Sequence, residues 1–215
     1  MLGQSISKNS FILGTFALVT AGILAATFLI TKDKITEAEK KAAQKALSEI
    51  IRPDRHNNDM LEDTWQPPEH HLKALGLNTV TAIHIAKQNN APVAVVIPST
   101  APDGYSGEIK LIVGINTDGS IAGVRVLSHK ETPGLGDKVD INKNDWILGF
   151  NGTRLNNPAP PLWKVKKDGG QFDQFTGATI TPRAVVKRVK QTLEYFNIHR
   201  NEILGSVISG TEKPQ

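Results

Sequence analysis

Three patterns of apolar and polar positions divide the chain. The first is an uncharged run from Phe11 to Ile30, which matches the about 20 apolar residues a helix needs to cross a bilayer. The run continues past the small residues Ala25 and Ala26 through Phe28, Leu29 and Ile30. It therefore reads as an uncleaved anchor over 11–31 rather than a signal peptide, whose apolar region is about 7–15 residues. Ala17, Ala21 and Ala25, with Gly14 and Gly22 nearby, form a small-residue stripe of the kind that lets another membrane helix approach. A stalk over 32–52 follows. Thr36 and Glu39 have the spacing of a capping box, Ala43, Ala46, Leu47, Ile50 and Ile51 continue a narrow apolar face begun at Ala38 and Ala42, and Pro53 stops the helix.

The second pattern has a period of two. Thr79–Ala86 and Pro92–Pro98 are β-branched runs separated by the turn-prone Gln88, Asn89 and Asn90. Gly107–Ile115 sets Ile109, Leu111, Val113 and Ile115 against Glu108, Lys110 and Gly114, the alternation of a half-buried strand. Asn116 to Ser120 turn the chain, and Ile121–Ser128 returns. The third pattern is helical. From Pro182 onward Val185, Val186, Val189, Leu193 and Phe196 share one face, while Lys187, Arg188, Lys190, Gln191 and Glu194 fall elsewhere. Thr181 is the expected N-cap and Pro182 the expected first helical residue. The sum is an α+β chain: a short polar start over 1–10, an N-terminal transmembrane helix and its stalk, an irregular connection over 53–78, an antiparallel-sheet domain with packed helices over 79–205, and a tail over 206–215.

Composition removes several chemistries. The chain has no Cys, so disulfides, thiolate metal sites and thiol catalysis are absent together. Its net charge of +4 is spread over interspersed Lys, Arg, Asp and Glu, which gives nucleic-acid binding little support. His56, His70 and His71 show no ligand spacing for a helix face and are expected at the surface. His129 and Glu131, two apart on a strand, merely share a face and are not read as an acid–base pair. A Walker loop, a nucleophile elbow and a helical His-Glu metal motif are all missing. Lysines on either side of the span, Lys8 before it and Lys32, Lys34, Lys40 and Lys41 after it, would by count place the large domain in the cytoplasm. Interleaved Asp33, Glu37 and Glu39 leave the side open.

The candidate chemistry lies in Phe172 to Arg183. Thr176, Gly177, Ala178 and Thr179 sit just before the expected helix, where free amides and the positive dipole end favour phosphate. Arg183 and Lys187 lie in the first turns, and Lys166 and Lys167 upstream are further candidates for holding phosphate. Gly134 and Gly136, either side of Leu135, permit positive φ or close approach to a flat ligand.

The run Asp173-Gln174-Phe175-Thr176-Gly177-Ala178-Thr179-Ile180-Thr181 resembles the flavinylation motif of FMN-binding domains. The stretches Ala101 to Gly107, Glu131 to Lys138 and Lys166 to Gly170, together with the N-terminal span, are similar to the G subunits of Rnf (Rsx) electron-transport complexes. That resemblance implies FMN joined by a phosphoester to Thr179, placed there by a separate flavin transferase. It implies that Tyr105, Glu131, Thr132, Gly134 and Leu135 line the flavin, beside Thr176, Gly177, Ala178, Thr181 and Lys166. It also implies an electron-carrying subunit rather than a self-contained enzyme, working with other membrane and peripheral subunits of an ion-translocating ferredoxin:NAD oxidoreductase. The main domain would be periplasmic, on a bacterial inner membrane. The alternatives are the related C subunit of a sodium-translocating NADH:quinone reductase, or an anchored scaffolding domain that never receives flavin.

Overall fold

A computed structural model describes residues 2–209, with side chains from Asn9 on except at 33, 35, 36, 38–40, 42 and 206–209. Two compact units divide the chain at Lys45 and Ala46. Helix α1, Leu2–Ile50, runs through the first and ends in the second. Its apolar stretch Asn9–Lys32 carries exposed Phe11, Leu13, Phe16, Leu18 and Leu29, and is long and apolar enough to cross a membrane. Thr15, Thr20, Thr27 and Thr31 turn their hydroxyls onto carbonyls four residues back, which satisfies them within the helix. The Thr36 and Glu39 side chains of the expected capping box lie outside the described residues, and the backbone there is helical without interruption.

The second unit is a meander of five antiparallel strands in chain order: β1 (Thr64–Trp65), β2 (Ile83–Gln88), β3 (Ala91–Gly104), β4 (Gly107–Asn116) and β5 (Ile121–Ser128). Asn89 and Asn90 make the β2–β3 turn with positive φ, as Asn tolerates. A one-turn helix α2, Leu72–Leu75, lies between β1 and β2, and the long helix α3, Ile180–Ser209, covers one face of the sheet. Val185, Val186, Val189, Leu193 and Phe196 from α3 meet Val95 and Ile97 of β3 and Ile109, Leu111, Val113 and Ile115 of β4. Ser99 on β3 and Thr192 on α3 bond across this interface at 2.8 Å; because Thr192 donates to the Arg188 carbonyl, Ser99 must donate to Thr192.

The opposite face is covered as well, by the last turns of α1. Leu47, Ile50 and Ile51, with Met60, pack on Ala86, Ala94, Val96 and Ile112. That is why β3 is buried almost continuously rather than alternately, and why β4 departs from the half-buried pattern at Ile112. Gly114 and Gly123 admit Ile50: a Cβ on Gly114 would stand 2.1 Å from its Cγ2.

Several expectations change. The second expected strand reaches Gly104, well past Pro98, and the first opens at Ile83 rather than Thr79. The connection expected to be irregular contains β1, which pairs Thr64 with His84, and helix α2, closed by Gly76 with φ 67°. Neither is long enough to show a period. Arg188, expected on the polar side of the last helix, is buried; its Nη1 donates to the Ala74 carbonyl, and burial lowers its pKa. His71 is also buried rather than on the surface, with Nδ1 3.0 Å from the Tyr195 hydroxyl. Burial pushes that phenol up to about 12. In both cases α3 and the α2 connection, far apart in sequence, bury each other's polar groups.

Truncating Ile50→Ala removes the side chain that fills the space above both glycines and should cost about 2–5 kcal/mol, read as a lower denaturant midpoint with unchanged slope.

Candidate functional site

Most of the expected site residues converge on one cavity of about 370 Å³, within the size range of small-molecule sites. Three segments form it. The β3–β4 hairpin gives Tyr105; the loop after β5 gives Glu131, Thr132, Leu135 and Gly136; the turn into α3 gives Gly177, Ala178, Thr179, Ile180 and Thr181.

An aromatic base holds the third segment. Phe172 stacks on Phe150 with centroids 4.7 Å apart, Phe175 packs edge-on to Trp146 at 5.2 Å, and the Trp146 indole N–H donates to the Asp173 carbonyl at 2.8 Å. Trp146 is itself set by Asn144, which accepts its backbone N–H and starts the 3-10 helix Asp145–Phe150. Above this base the chain turns tightly. The Ala178 N–H bonds the Phe175 carbonyl around Gly177 at φ 81°, a conformation that favours Gly at the third position of a turn.

Helix α3 then begins at Ile180, two residues earlier than expected, with the Thr179 carbonyl accepting the Arg183 N–H at 3.3 Å. Thr181 is therefore not the N-cap. It lies inside the first turn, fully buried, and its hydroxyl donates to Oε2 of Glu131. Pro182 occupies the third helical position, where its missing N–H would have had no partner anyway. Oε1 of Glu131 accepts the Ser106 backbone N–H at 3.0 Å, so one buried carboxylate ties the hairpin, the loop and the helix start together. Two glycines make room for it. A Cβ on Gly136 would stand 2.7 Å from Oε2 and 2.8 Å from the Thr181 hydroxyl, and one on Gly104 would stand 2.9 Å from Oε1. The glycines beside Leu135 thus serve different ends. Gly134 supplies positive φ for the turn that the Thr132 carbonyl closes, while Gly136 supplies space.

Thr179 is half-buried on the cavity wall, and among the described residues its hydroxyl has no hydrogen-bond partner. Around the mouth stand Tyr105, Leu135 and Ile180, respectively 68%, 41% and 45% exposed. Large apolar side chains left open beside a cavity suit a flat, partly apolar ligand.

Three of the four basic residues offered to phosphate are engaged elsewhere, and Lys167 does not line the cavity. Arg183 grips Asp168 through two bonds of 2.5 Å, and that contact lowers the Asp168 pKa and raises that of Arg183. Lys187 pairs with Asp103 at 2.7 Å and Lys166 with Asp173 at 2.6 Å. Lys166, Thr176 and Gly134 do not line the cavity; Ile180, which no motif marked, does. Its sole sequence signal is its place between the two threonines. His129 accepts the backbone N–H of Glu131 at Nδ1 and does not meet its carboxylate.

Comparison with known proteins accounts for this arrangement. Residues 104–194 match the family model for the FMN-binding domain, and residues 1–50 match that for the RnfG N-terminal region. The chain is 47% identical over 206 residues to the G subunit of the ion-translocating oxidoreductase complex of Vibrio vulnificus, covering 96% of each chain. It is 44% identical over 201 residues to the protein of the same name from Pseudomonas aeruginosa, covering 94% of this chain and 93% of that one. It belongs to this family of G subunits. Every residue lining the cavity falls inside the matched FMN-binding domain. With the apolar α1, membership also makes the protein a membrane-anchored one.

Replacing Thr181 by Ala leaves Oε2 of Glu131 without its partner and should cost about 1–3 kcal/mol, whereas Thr181→Ser keeps the hydroxyl and should stay near wild type. Urea titration of both variants checks the assignment; equal losses would place the effect in packing.

Proposed function

We propose that the protein carries FMN as a phosphoester on Thr179 and relays electrons through it within an ion-translocating oxidoreductase complex. The observation that carries the reading is the contrast between two threonines of one motif. The Thr181 hydroxyl is buried and committed to Glu131, while that of Thr179 is uncommitted on the cavity wall.

The residues present fit the group. Attachment at Thr179 brings the phosphate to the start of α3, where among the described residues the backbone N–H groups of Ile180 and Thr181 make no backbone bond and the helix dipole favours an anion. Arg183 stands in the same turn with its charge already balanced by Asp168, so helix amides rather than a side-chain cation would supply most of the phosphate's hydrogen bonds. Tyr105, Leu135 and Ile180 would flank the ring, and the Gly177 turn sets its distance from the attachment point. Bound FMN supplies one- and two-electron chemistry, while the protein fixes its position and limits water access. Covalent attachment keeps the carrier from diffusing away.

A flavin transferase would install the group, and the other subunits of the complex would supply and accept electrons. The large unit would face the periplasm with α1 in the inner membrane. Small residues on α1, Gly14, Ala17, Ala21 and Ala25, give neighbouring membrane helices a close approach.

Mass spectrometry of the protein expressed with its transferase should show one FMN adduct on the peptide holding Thr179, lost in Thr179→Ala and kept in Thr176→Ala. An adduct that persists in Thr179→Ala overturns the assignment. Orientation has a separate check, because the chain has no Cys. Asn151→Cys, at an exposed loop position, should react in intact cells with a thiol reagent that crosses only the outer membrane; labelling only after lysis would place the domain in the cytoplasm.

A further inference from the structure

The histidine that departs furthest from its expected place is His71. It is buried at the start of α2, and the groups it meets come from the far half of α3: Tyr195, His199 and Glu202. The His71 and His199 rings lie 4.0 Å apart between centroids. His71, His199 and Glu202 each bring one nitrogen or oxygen atom within 4.8 Å of the others.

We infer that His71, His199 and Glu202 form a binding site for a divalent cation of the Zn²⁺ class, separate from the flavin cavity. His199 and Glu202 are i and i+3 on one helix, so they share a face by construction. Nδ1 of His199 stands 3.4 Å from Oε2 of Glu202. That is long for a charge-assisted hydrogen bond, which runs about 2.7–2.9 Å. It equals the separation of two ligands about 2.0–2.1 Å from a shared tetrahedral metal, about 3.4 Å. Nδ1 of His71 is taken by the Tyr195 hydroxyl at 3.0 Å, which leaves Nε2 for a metal. Metal-bound histidines are typically held this way, with a hydrogen bond on the other ring nitrogen that fixes tautomer and orientation. Two imidazoles and a carboxylate suit Zn²⁺, with water in the fourth position. A cavity of about 280 Å³, lined by Lys73, Tyr195, Ile198 and His199 among others, gives solvent a path to His199.

Bringing the three atoms from within 4.8 Å to bonding separation takes a side-chain adjustment that partly exposed His199 and exposed Glu202 are free to make. The site lies near the other end of α3 from the flavin cavity, about 30 Å along the helix at about 1.5 Å per residue. Its role is a clasp: it joins the connection before β2 to α3 across a large loop, where a bound ion stabilises the fold by mass action.

The test uses the full-length protein in detergent, purified without a polyhistidine tag, stripped with chelator and titrated with Zn²⁺ alone. One equivalent should bind and raise the melting temperature. His199→Ala and Glu202→Gln should each weaken binding at least tenfold, Tyr195→Phe should weaken it about tenfold, and His56→Ala should leave it unchanged. Co²⁺ in place of Zn²⁺ should give the visible absorption of a tetrahedral nitrogen–oxygen site, lost in His199→Ala. Flavin content should be the same in all variants, which keeps this site distinct from the Thr179 assignment. No binding, or binding unaffected by His199→Ala, overturns the inference.

Discussion

The Glu131 carboxylate holds the flavin-binding end of the protein together. It is buried, yet both oxygens are used: one by the Ser106 amide at the hairpin tip, the other by the Thr181 hydroxyl in the first turn of α3. A buried carboxylate is costly unless its acceptors are filled, and here filling them requires three separate segments to be in place at once. It also lies against the positive end of α3, where a negative charge is favoured. Gly104 and Gly136 stand at the closest approaches to this group because any side chain there would push the bonds apart. The cavity is thus a by-product of satisfying one carboxylate, and its walls are as well defined as those two hydrogen bonds.

The sheet is covered on both faces, and the two covers differ in what they do. Helix α3 buries the larger core and brings Thr179 and Thr181 to one end of the domain and His199 and Glu202 to the other. The last turns of α1 bury the second, smaller core through Leu47, Ile50 and Ile51. That seat makes the end of α1 a structural part of the sheet domain, fixed where Gly114 and Gly123 open a slot for Ile50.

Much of this was legible in the residue pattern. Alternation over Gly107–Ile115, and the return of the chain over Ile121–Ser128 after the turn at Asn116 to Ser120, located two strands within a residue. The apolar face from Val185 to Phe196 located the last helix, and the threonine-glycine motif pointed to one wall of the cavity. Short elements escaped: Thr64–Trp65 and Leu72–Leu75 have too few residues to show any period. The helix starts two residues before the position its sequence suggests, because Thr-Pro is a strong local signal for a cap. The tertiary partner of Thr181, Glu131, lies fifty residues away and overrides that local preference.

The sequence by itself determined the membrane-length helix, four of the five strands, the amphipathic α3 and most of the residues that line the cavity. Those follow from periodicity and local turn chemistry, which act within a few residues. Only the tertiary structure decided which hydroxyl is free, which cations are already neutralised and which histidine is buried. Arg183, Lys187 and Lys166 looked available for phosphate until Asp168, Asp103 and Asp173 were brought against them. His71 looked exposed until α3 covered it. Such outcomes depend on contacts between segments distant along the chain, and no spacing within one segment encodes them.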